Sequence, residues 1–511
     1  MSEVNLDRPV MLVSPYGIEN RGIRYIAAVL RAAGFEPVLV LMKRWINNQI
    51  SPPTETEVAL LQNLVRELNP LLVGFGFGAP YFKVVTHLTK RIREVSAVPV
   101  LWGGVYPTVC PEDCIEHADM VCVGEGEFAS LELCRNLVKR TPYETIENLW
   151  VRFGGTIHKN QPRLLNQDID ALPLPEYCMP ETVFIEDDVL RKMDPIAETA
   201  EYRIYPTRGC PYACSYCNNS ILRTIYDGKG KYYRVRSVES VIGELEVARQ
   251  TLPRIRRIKF DGDVFAFPGD WISRFSEAYA ERIRLPFEIL TYPGELNGDD
   301  LKQLKAAGLC KVQTGIQSGS DDEVKVYKRK STSSKIHKFS MLTHKIGVPV
   351  VYDLIFDNPL AGREDKRRMI ELLLSLERPF KVYLYSLTVF PKTGLADDLL
   401  QRGLITPDDI EGQATKSFKQ FRVSLGYPRS REDQFWICLA ILSAKSFIPR
   451  AVIRRLMATS WLMRHPALLR ILTQLSDLTK NAFIALNMLL HGELTMFKIR
   501  QYGAFRRMIS Q

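Results

Sequence analysis

Residues 208–217 read RGCPYACSYC, placing cysteines at 210, 214 and 217 with the spacing C-x3-C-x2-C. Three thiols so close together suit metal chemistry, because thiolates are ligands for zinc and for iron–sulfur clusters. A structural zinc site takes four ligands, usually from paired C-x2-C knuckles. No second knuckle follows here. Cys110 and Cys114 form one C-x3-C pair in another region and lack a partner histidine. A thiolate-held 4Fe–4S cluster normally uses four cysteines. Three would leave one iron with an open coordination position, where a substrate or cofactor can bind. Isolated cysteines such as Cys122 and Cys310 read as core residues, cysteine being among the most buried types.

The elements that must position this loop follow from the hydrophobic pattern. In the first 140 residues, apolar runs at 9–15, 36–41, 70–78, 98–104 and 119–126 alternate with helical patterns near 21–33, 54–68, 81–95 and 125–139. This alternation predicts an α/β fold with a buried parallel sheet. Each strand runs into a Gly- or Pro-marked loop, and open α/β sheets bind ligands at the carboxyl ends of their strands. From about 201 the alternation resumes, with strands predicted near 202–207, 256–260, 286–290, 310–316, 348–355 and 379–389. Six βα units suggest a (βα)6 partial barrel with its active face at the strand carboxyl ends. The cysteine run directly follows the first of these strands.

A chain of 511 residues is too long for one core. The sequence divides into 8–145, a Rossmann-like domain; 146–200, a Pro-containing linker; 201–427, the barrel domain; and 428–511, a basic helical C-terminal region. Ten cysteines are too few for a disulfide scaffold in a chain of this length. No apolar run reaches 18 residues and MSEVNLDRPV lacks a signal-peptide core, so the expected location is the cytoplasm. The net charge of +10 is uneven: residues 428–511 hold 13 Lys/Arg against 4 Asp/Glu. Arg450, Arg454, Arg455, Arg464 and Arg470 interleave there with Trp461, Leu462, Leu468 and Leu472. A basic amphipathic stretch of this kind suits peripheral contact with the inner face of a membrane, or a helical cap on the barrel. No nucleic-acid-reading module accompanies the charge.

TRGCPYACSYCNNS resembles the signature of the radical S-adenosylmethionine (SAM) enzymes. The resemblance implies that Cys210, Cys214 and Cys217 ligate a 4Fe–4S cluster whose fourth iron is chelated by SAM. It places Tyr216 near the adenine. By the same resemblance Asp263, in FDGDVF, meets the methionine amine. Gln317 and Ser318, in GIQSGSDDEV, meet the ribose and carboxylate, and Asp353 is a further contact. FPKTGL at 390–395 resembles a later motif that more often has Gly where Lys392 stands.

GFGFGAPYF, WGGVYPT and VCVGEGE resemble the cobalamin-binding domain of one large radical SAM subfamily, the class B methyltransferases among them. The resemblance covers residues 8 to about 425. It implies that Gly103, Gly104 and Thr108 on one loop, and Gly124, Glu125 and Gly126 on another, hold cobalamin. The histidine motif D-x-H-x-x-G is absent, and Tyr106 stands where the subfamily often has His. A cobalamin here is therefore expected to lack a protein histidine on cobalt. The family implies an enzyme with three cofactors, the 4Fe–4S cluster, SAM and cobalamin, that methylates an unactivated carbon. A non-methylating radical cyclisation, rearrangement or oxidation on the same architecture is the alternative. The expected partners are a small-molecule or lipid substrate and a flavodoxin- or ferredoxin-like electron donor, with no nucleic acid.

Overall fold

The computed structural model describes residues 8–44, 51–414 and 429–476. Nine strands build the first sheet: β1 (Val10–Pro15), β2 (Pro37–Met42), β3 (Leu72–Gly76), β4 (Val100–Gly103), β5 (Met120–Cys122), β6 (Leu149–Phe153), β7 (Thr156–Lys159), β8 (Val183–Glu186) and β9 (Val189–Lys192). Their order is β7-β6-β5-β4-β3-β1-β2-β8-β9. The pairs from β5 through β8 are parallel. Both β1 and β2 are buried along their whole length, which is why they read as unbroken apolar runs. Helices α1 (Arg21–Ala32), α2 (Glu55–Leu68), α3 (Phe82–Arg93), α4 (Val105–Val109), α5 (Pro111–Ile115) and α6 (Glu127–Lys139) connect them. Thr54 and Glu57 start α2 as a reciprocal capping box.

β1 lies between β2 and β3, so the chain leaves it on one side and returns on the other. At such a switch point the connecting loops diverge and open a crevice. The loops after β1 and β3 here form that crevice.

The stretch 146–200, expected as a linker, supplies four strands to this sheet. β6 pairs antiparallel with β5 and β7, and β9 with β8. Two tight hairpins make this possible. Gly154 and Gly155 turn the first with positive φ, and Asp187 and Asp188 turn the second in the same way.

The second sheet is the predicted open (βα)6 unit. Its strands are β10 (Glu201–Ile204), β13 (Arg257–Phe260), β14 (Phe287–Thr291), β15 (Leu309–Gln317), β16 (Val350–Phe356) and β17 (Lys381–Ser386), adjacent in that order and all parallel. A separate two-stranded ribbon, β11 (Thr207–Arg208) with β12 (Arg234–Val235), carries the chain into the cysteine loop. Phe260, Phe275 and Phe287 pack edge-on in the core, with Tyr279 tilted against all three.

α7 (Asn218–Ile225) begins right after Cys217 and joins the two sheets. Its Ile221, Leu222 and Ile225 pack into the apolar core of the first domain. Ion pairs reinforce the junction. Arg21 Nη1 lies 2.8 Å from Glu244, Arg203 Nε 3.1 Å from Glu19, and Lys392 Nζ 2.9 Å from Glu112.

The described C-terminal residues start at the carboxyl end of β16, where Arg429 pairs with Asp357 (3.0 Å), and their helices then run down the outer flank of the barrel. The helix Arg431–Ser443 is buried on almost every side, through Phe435, Trp436, Ile437, Leu439 and Leu442. It packs against the helix Arg363–Ser375 and β17. Arg378 Nη1 donates to the carbonyls of Lys445 and Ile448, just before the amino end of β17 and away from the strand carboxyl ends. The next two helices, Arg450–Ala458 and Ser460–Arg464, close over Arg431–Ser443. The predicted region continues to 511, and residues 477–511 lie outside the described residues. Among the described residues no helix is long and apolar enough to cross a membrane.

Candidate active site

A cavity of 1150 Å³ lies between the two domains, at the carboxyl ends of both sheets. One wall comes from the loops after β1, β3, β4 and β5. The other comes from the cysteine loop and the ends of the barrel strands.

On the first wall, Gly103, Gly104, Thr108, Gly124, Glu125 and Gly126 all line the cavity. Thr108 Oγ1 donates to the carbonyl of Gly104 (2.7 Å) and accepts from the Gly124 amide (3.0 Å), joining the two loops. Gly104 and Gly124 both have φ +109°, a conformation open to glycine. A Cβ on Gly104 would strike the Phe77 backbone, and one on Gly124 the Tyr226 hydroxyl. These two glycines thus admit neighbouring protein as well as line the cavity. Glu125 is engaged by protein too. Its carboxylate sits between Arg208 (3.3 Å) and Arg234 (3.1 Å). Burial opposes ionisation there, but the two guanidiniums hold the carboxyl below its usual range. Its amide donates to Tyr226 Oη (2.7 Å). Arg208, two residues before Cys210, also pairs with Glu127. The loops that begin α6 are therefore clamped to the cysteine loop.

On the second wall, Tyr216, Cys217, Asp263, Gln317 and Asp353 line the cavity. Cys210 and Cys214 stand behind them. Cys210 packs with Tyr212 beside Val264, Ala266 and Tyr292, and Cys214 is buried. Burial pushes the Cys210 thiol up to about 12 and raises that of Cys217, so iron binding here must release protons. Asp263 Oδ1 accepts from Asn219 Nδ2 (2.8 Å), and enclosure by the cavity wall raises its carboxyl. Gln317 adopts φ +61° beside a break in register with β16, an irregularity that re-aims a side chain. Asp353 accepts from Gln313 Nε2 at 2.9 and 3.1 Å.

Ser318, expected at the cofactor, is not among the cavity-lining residues. It is fully buried, donates to Glu323 and accepts from the Ser320 amide (2.9 Å). Glu323 in turn accepts from Asn358 Nδ2 (2.6 Å). Ser318 therefore braces the loop that carries Gln317. Lys392 has φ +62°, the kind of backbone that favours the family's usual Gly, and its ammonium makes the interdomain pair with Glu112.

Pattern reading missed Asn219, Gln313, Arg208, Arg234 and Arg329. Arg329 is the least expected. Its Nη1 donates to Tyr216 Oη (2.9 Å) and lies 3.8 Å from Cys214 Sγ, while Nη2 donates to the Gly315 carbonyl. No Asp or Glu among the described residues pairs with it. The basic residue beside GIQSGSDDEV was the available signal, but only the fold brings it to the cysteines.

These residues fit an iron–sulfur cluster. Among the described residues no three His, Cys, Asp or Glu converge on a point that could hold a single metal ion. Cluster ligands need not converge, since each thiolate takes a different iron. A buried guanidinium without a carboxylate also fits an anionic centre, because isolated buried charge is costly. The remaining cavity fits further ligands. Thr207 Oγ1 and Thr388 Oγ1 are buried at its edge and have no hydrogen-bond partner among the described residues. Among the described residues no histidine lines it.

A fold of this kind with a three-cysteine loop facing a shared cavity defines a radical SAM enzyme. Residues 204–375 match the radical SAM superfamily and residues 8–134 the B12-binding domain, together more than half of the chain. The chain belongs to the cobalamin-binding-domain radical SAM enzymes, whose cofactors are a 4Fe–4S cluster, SAM and cobalamin. It is 25% identical over 353 residues to a protein of Pyrococcus horikoshii named an uncharacterized methyltransferase, covering 68% of this chain and 72% of that one. It is 23% identical to bacteriochlorophyllide d C-8(2)-methyltransferase of Chlorobaculum tepidum, over 65% and 67% of the two chains. With 4'-phospho-dehydrooxetanocin synthase of Priestia megaterium it shares 21% identity, over 59% and 42%. TsrM of Kitasatospora setae, solved with cobalamin and a [4Fe-4S] cluster, shares the fold with a TM-score of 0.62 at 15% identity, covering 90% of this chain and 99% of that one.

Proposed function

We propose that the protein is a cobalamin-dependent radical methyltransferase acting on an unactivated carbon of a small molecule or lipid. One observation carries this reading: the loops assigned to cobalamin and the cysteine loop face each other across one cavity. A carbon bound there can be approached from both cofactors without leaving the site, which suits sequential attack and transfer.

Cys210, Cys214 and Cys217 would hold the cluster, which with SAM supplies the radical that removes hydrogen. Asp263 offers its carboxylate to the SAM amine, oriented by Asn219. Gln317 and Asp353 offer polar groups from the barrel side, Asp353 held by Gln313. Gly103, Gly104, Thr108, Gly124 and Gly126 line the wall for the corrinoid. The helix α7 and the interdomain ion pairs Arg21–Glu244 and Lys392–Glu112 hold the two walls in register. Formation of methylated product with both S-adenosylhomocysteine and 5′-deoxyadenosine tests the reading. Sustained 5′-deoxyadenosine release with turned-over but unmethylated product contradicts it. That result would favour the non-methylating alternative, to which the likeness to a synthase lends support.

The flank of the C-terminal helices suits peripheral membrane contact, at the inner face, by a cytoplasmic enzyme. Trp461, Leu468, Ile471 and Leu475 are about half exposed, and Arg455 and Arg464 belong to the same helical stretch, whereas Arg450 donates to the Leu376 carbonyl and Arg454 pairs with Glu371 (3.1 Å). Each Lys or Arg near an anionic bilayer contributes about 1 kcal/mol, weakened by salt. Flotation of the full chain with anionic vesicles at low salt tests this. Failure to float removes the membrane from the proposal.

A further inference from the structure

The cluster-binding loop has two sides, and only one faces the cavity. On the other, Pro211 and Ala213 are exposed and Tyr212 is half-buried between them. The Tyr212 ring stacks on Tyr292 with centroids 4.1 Å apart and planes at 19°. The Arg329 guanidinium covers Tyr292 at 4.4 Å and reaches Cys214. Cys210 packs against the same pair of tyrosines. The surface stack is thus in contact with the surroundings of two cluster ligands.

Three lysines frame this point. The Lys330 amide donates to Tyr292 Oη (2.7 Å). The stem of Lys335 lies across Gly294, beside Glu295, which accepts a hydrogen bond from Tyr212. Lys328 is next to Arg329 and follows Tyr327, whose carbonyl accepts from the Ser215 amide of the cysteine loop (3.1 Å). All three lysines are exposed, and none makes an ion pair among the described residues. Glu295 is the carboxylate inside the patch, and Asp322 at its margin is paired with Lys325 at 3.7 Å.

We infer that this surface, formed by residues 211–213 with Lys328, Lys330 and Lys335, docks an acidic, low-potential one-electron carrier that reduces the cluster. The inference rests on the radical SAM assignment and not on methyl transfer. The centre needs an electron from outside the chain, and electron transfer weakens steeply with distance. The cavity side is closed to a protein donor because α7 is packed into the cobalamin-binding domain. The loop tip remains as the near approach. Its lysines suit an acidic partner, since complementary charge raises the encounter rate and sets orientation. In the transfer the donor is oxidised by one electron, the cluster is reduced by one, and no bond or proton changes hands.

The test is the triple variant Lys328→Glu/Lys330→Glu/Lys335→Glu of the full-length reconstituted enzyme. The rate of 5′-deoxyadenosine formation is measured with reduced flavodoxin as donor and, separately, with dithionite, which needs no docking. The expected result is a tenfold or greater fall with flavodoxin at low salt. The dithionite rate, the iron content and the spectrum of the reduced cluster should match wild type. The wild-type rate with flavodoxin should also fall as salt is raised, because the patch charges are solvent-exposed. The triple Lys→Arg variant should keep the flavodoxin rate. Equal flavodoxin rates in the Glu variant and wild type overturn the inference. So does an equal loss with both reductants, which would mark the lysines as structural. Loss of methylated product alone bears only on the methyltransferase reading.

Discussion

Arg329 Nη1 sits 3.8 Å from Cys214 Sγ and 2.9 Å from Tyr216 Oη, with no carboxylate among the described residues to balance it. The cation therefore faces the thiolate that iron binding creates. It favours the more negative, reduced cluster over the oxidised one. Arg329→Gln is expected to lower the cluster midpoint by on the order of 60 mV, about one tenfold step for a one-electron couple. Arg329→Lys should lie between. A redox titration followed by paramagnetic resonance measures this, and an unchanged midpoint in Arg329→Gln counts against the pairing.

Replacing Cys210, Cys214 or Cys217 by Ala should abolish iron retention and 5′-deoxyadenosine formation. Two remaining thiolates leave two open irons. Cys110, Cys114, Cys122 and Cys438 are buried elsewhere, and burial pushes the Cys110 and Cys122 thiols up to about 12 and that of Cys438 to about 11. Their Ala variants, and that of half-buried Cys178, should keep iron, each at a stability cost of about 1 kcal/mol for the lost core volume. Iron analysis separates the two groups.

Gly124→Ala places a side chain at φ +109° and against Tyr226. The backbone strain alone costs about 1–2 kcal/mol. Tyr226 ends α7, so the displacement should reach the cysteine loop as well as the corrinoid wall. Both cobalamin retention and cluster content should fall. Gly154→Ala, in an open hairpin turn with nothing near its would-be Cβ, should affect neither. A Gly124→Ala enzyme that loses cobalamin but keeps full iron would show that the two sites are not mechanically joined.

With no histidine lining the cavity among the described residues, and no D-x-H-x-x-G motif in the sequence, the cob(II)alamin form should show no splitting from a protein imidazole nitrogen on cobalt. A spectrum of reconstituted enzyme with such splitting would contradict this.

The buried strands and the cysteine spacing were legible because each depends on local pattern. Runs such as PVLVLM are apolar throughout when both faces are covered, and a three-cysteine motif is contiguous in sequence. The edge hairpins were harder to read. LWVRF alternates in burial only over its first three residues and TIHK not at all, so the cues are the Gly154–Gly155 and Asp187–Asp188 turns inside a stretch rich in proline. The helix 431–443 was taken with the basic tail because net charge was summed over the region, while its own residues are largely core. Ser318 and Arg329 show a third reason. Ser318 lies inside GIQSGSDDEV and Arg329 shortly after it, yet the former is turned into the interior and the latter reaches Cys214, 115 positions away. Which neighbour faces a ligand is settled by the strand bulge and loop path, not by sequence proximity.

Because α7 buries Ile221, Leu222 and Ile225 in the partner domain, the radical half of this chain is not an interchangeable module. Cut away from residues 8–200, it would carry an oily helix face directly beside its cluster, prone to self-association and open to oxygen. Grafting this barrel onto another corrinoid carrier would thus require the receiving surface to match α7 as well as the cofactor. Shuffling of such domains is constrained by a helix that lines the shared cavity with Asn219 and Leu222 while Ile221 and Ile225 anchor it in the other domain.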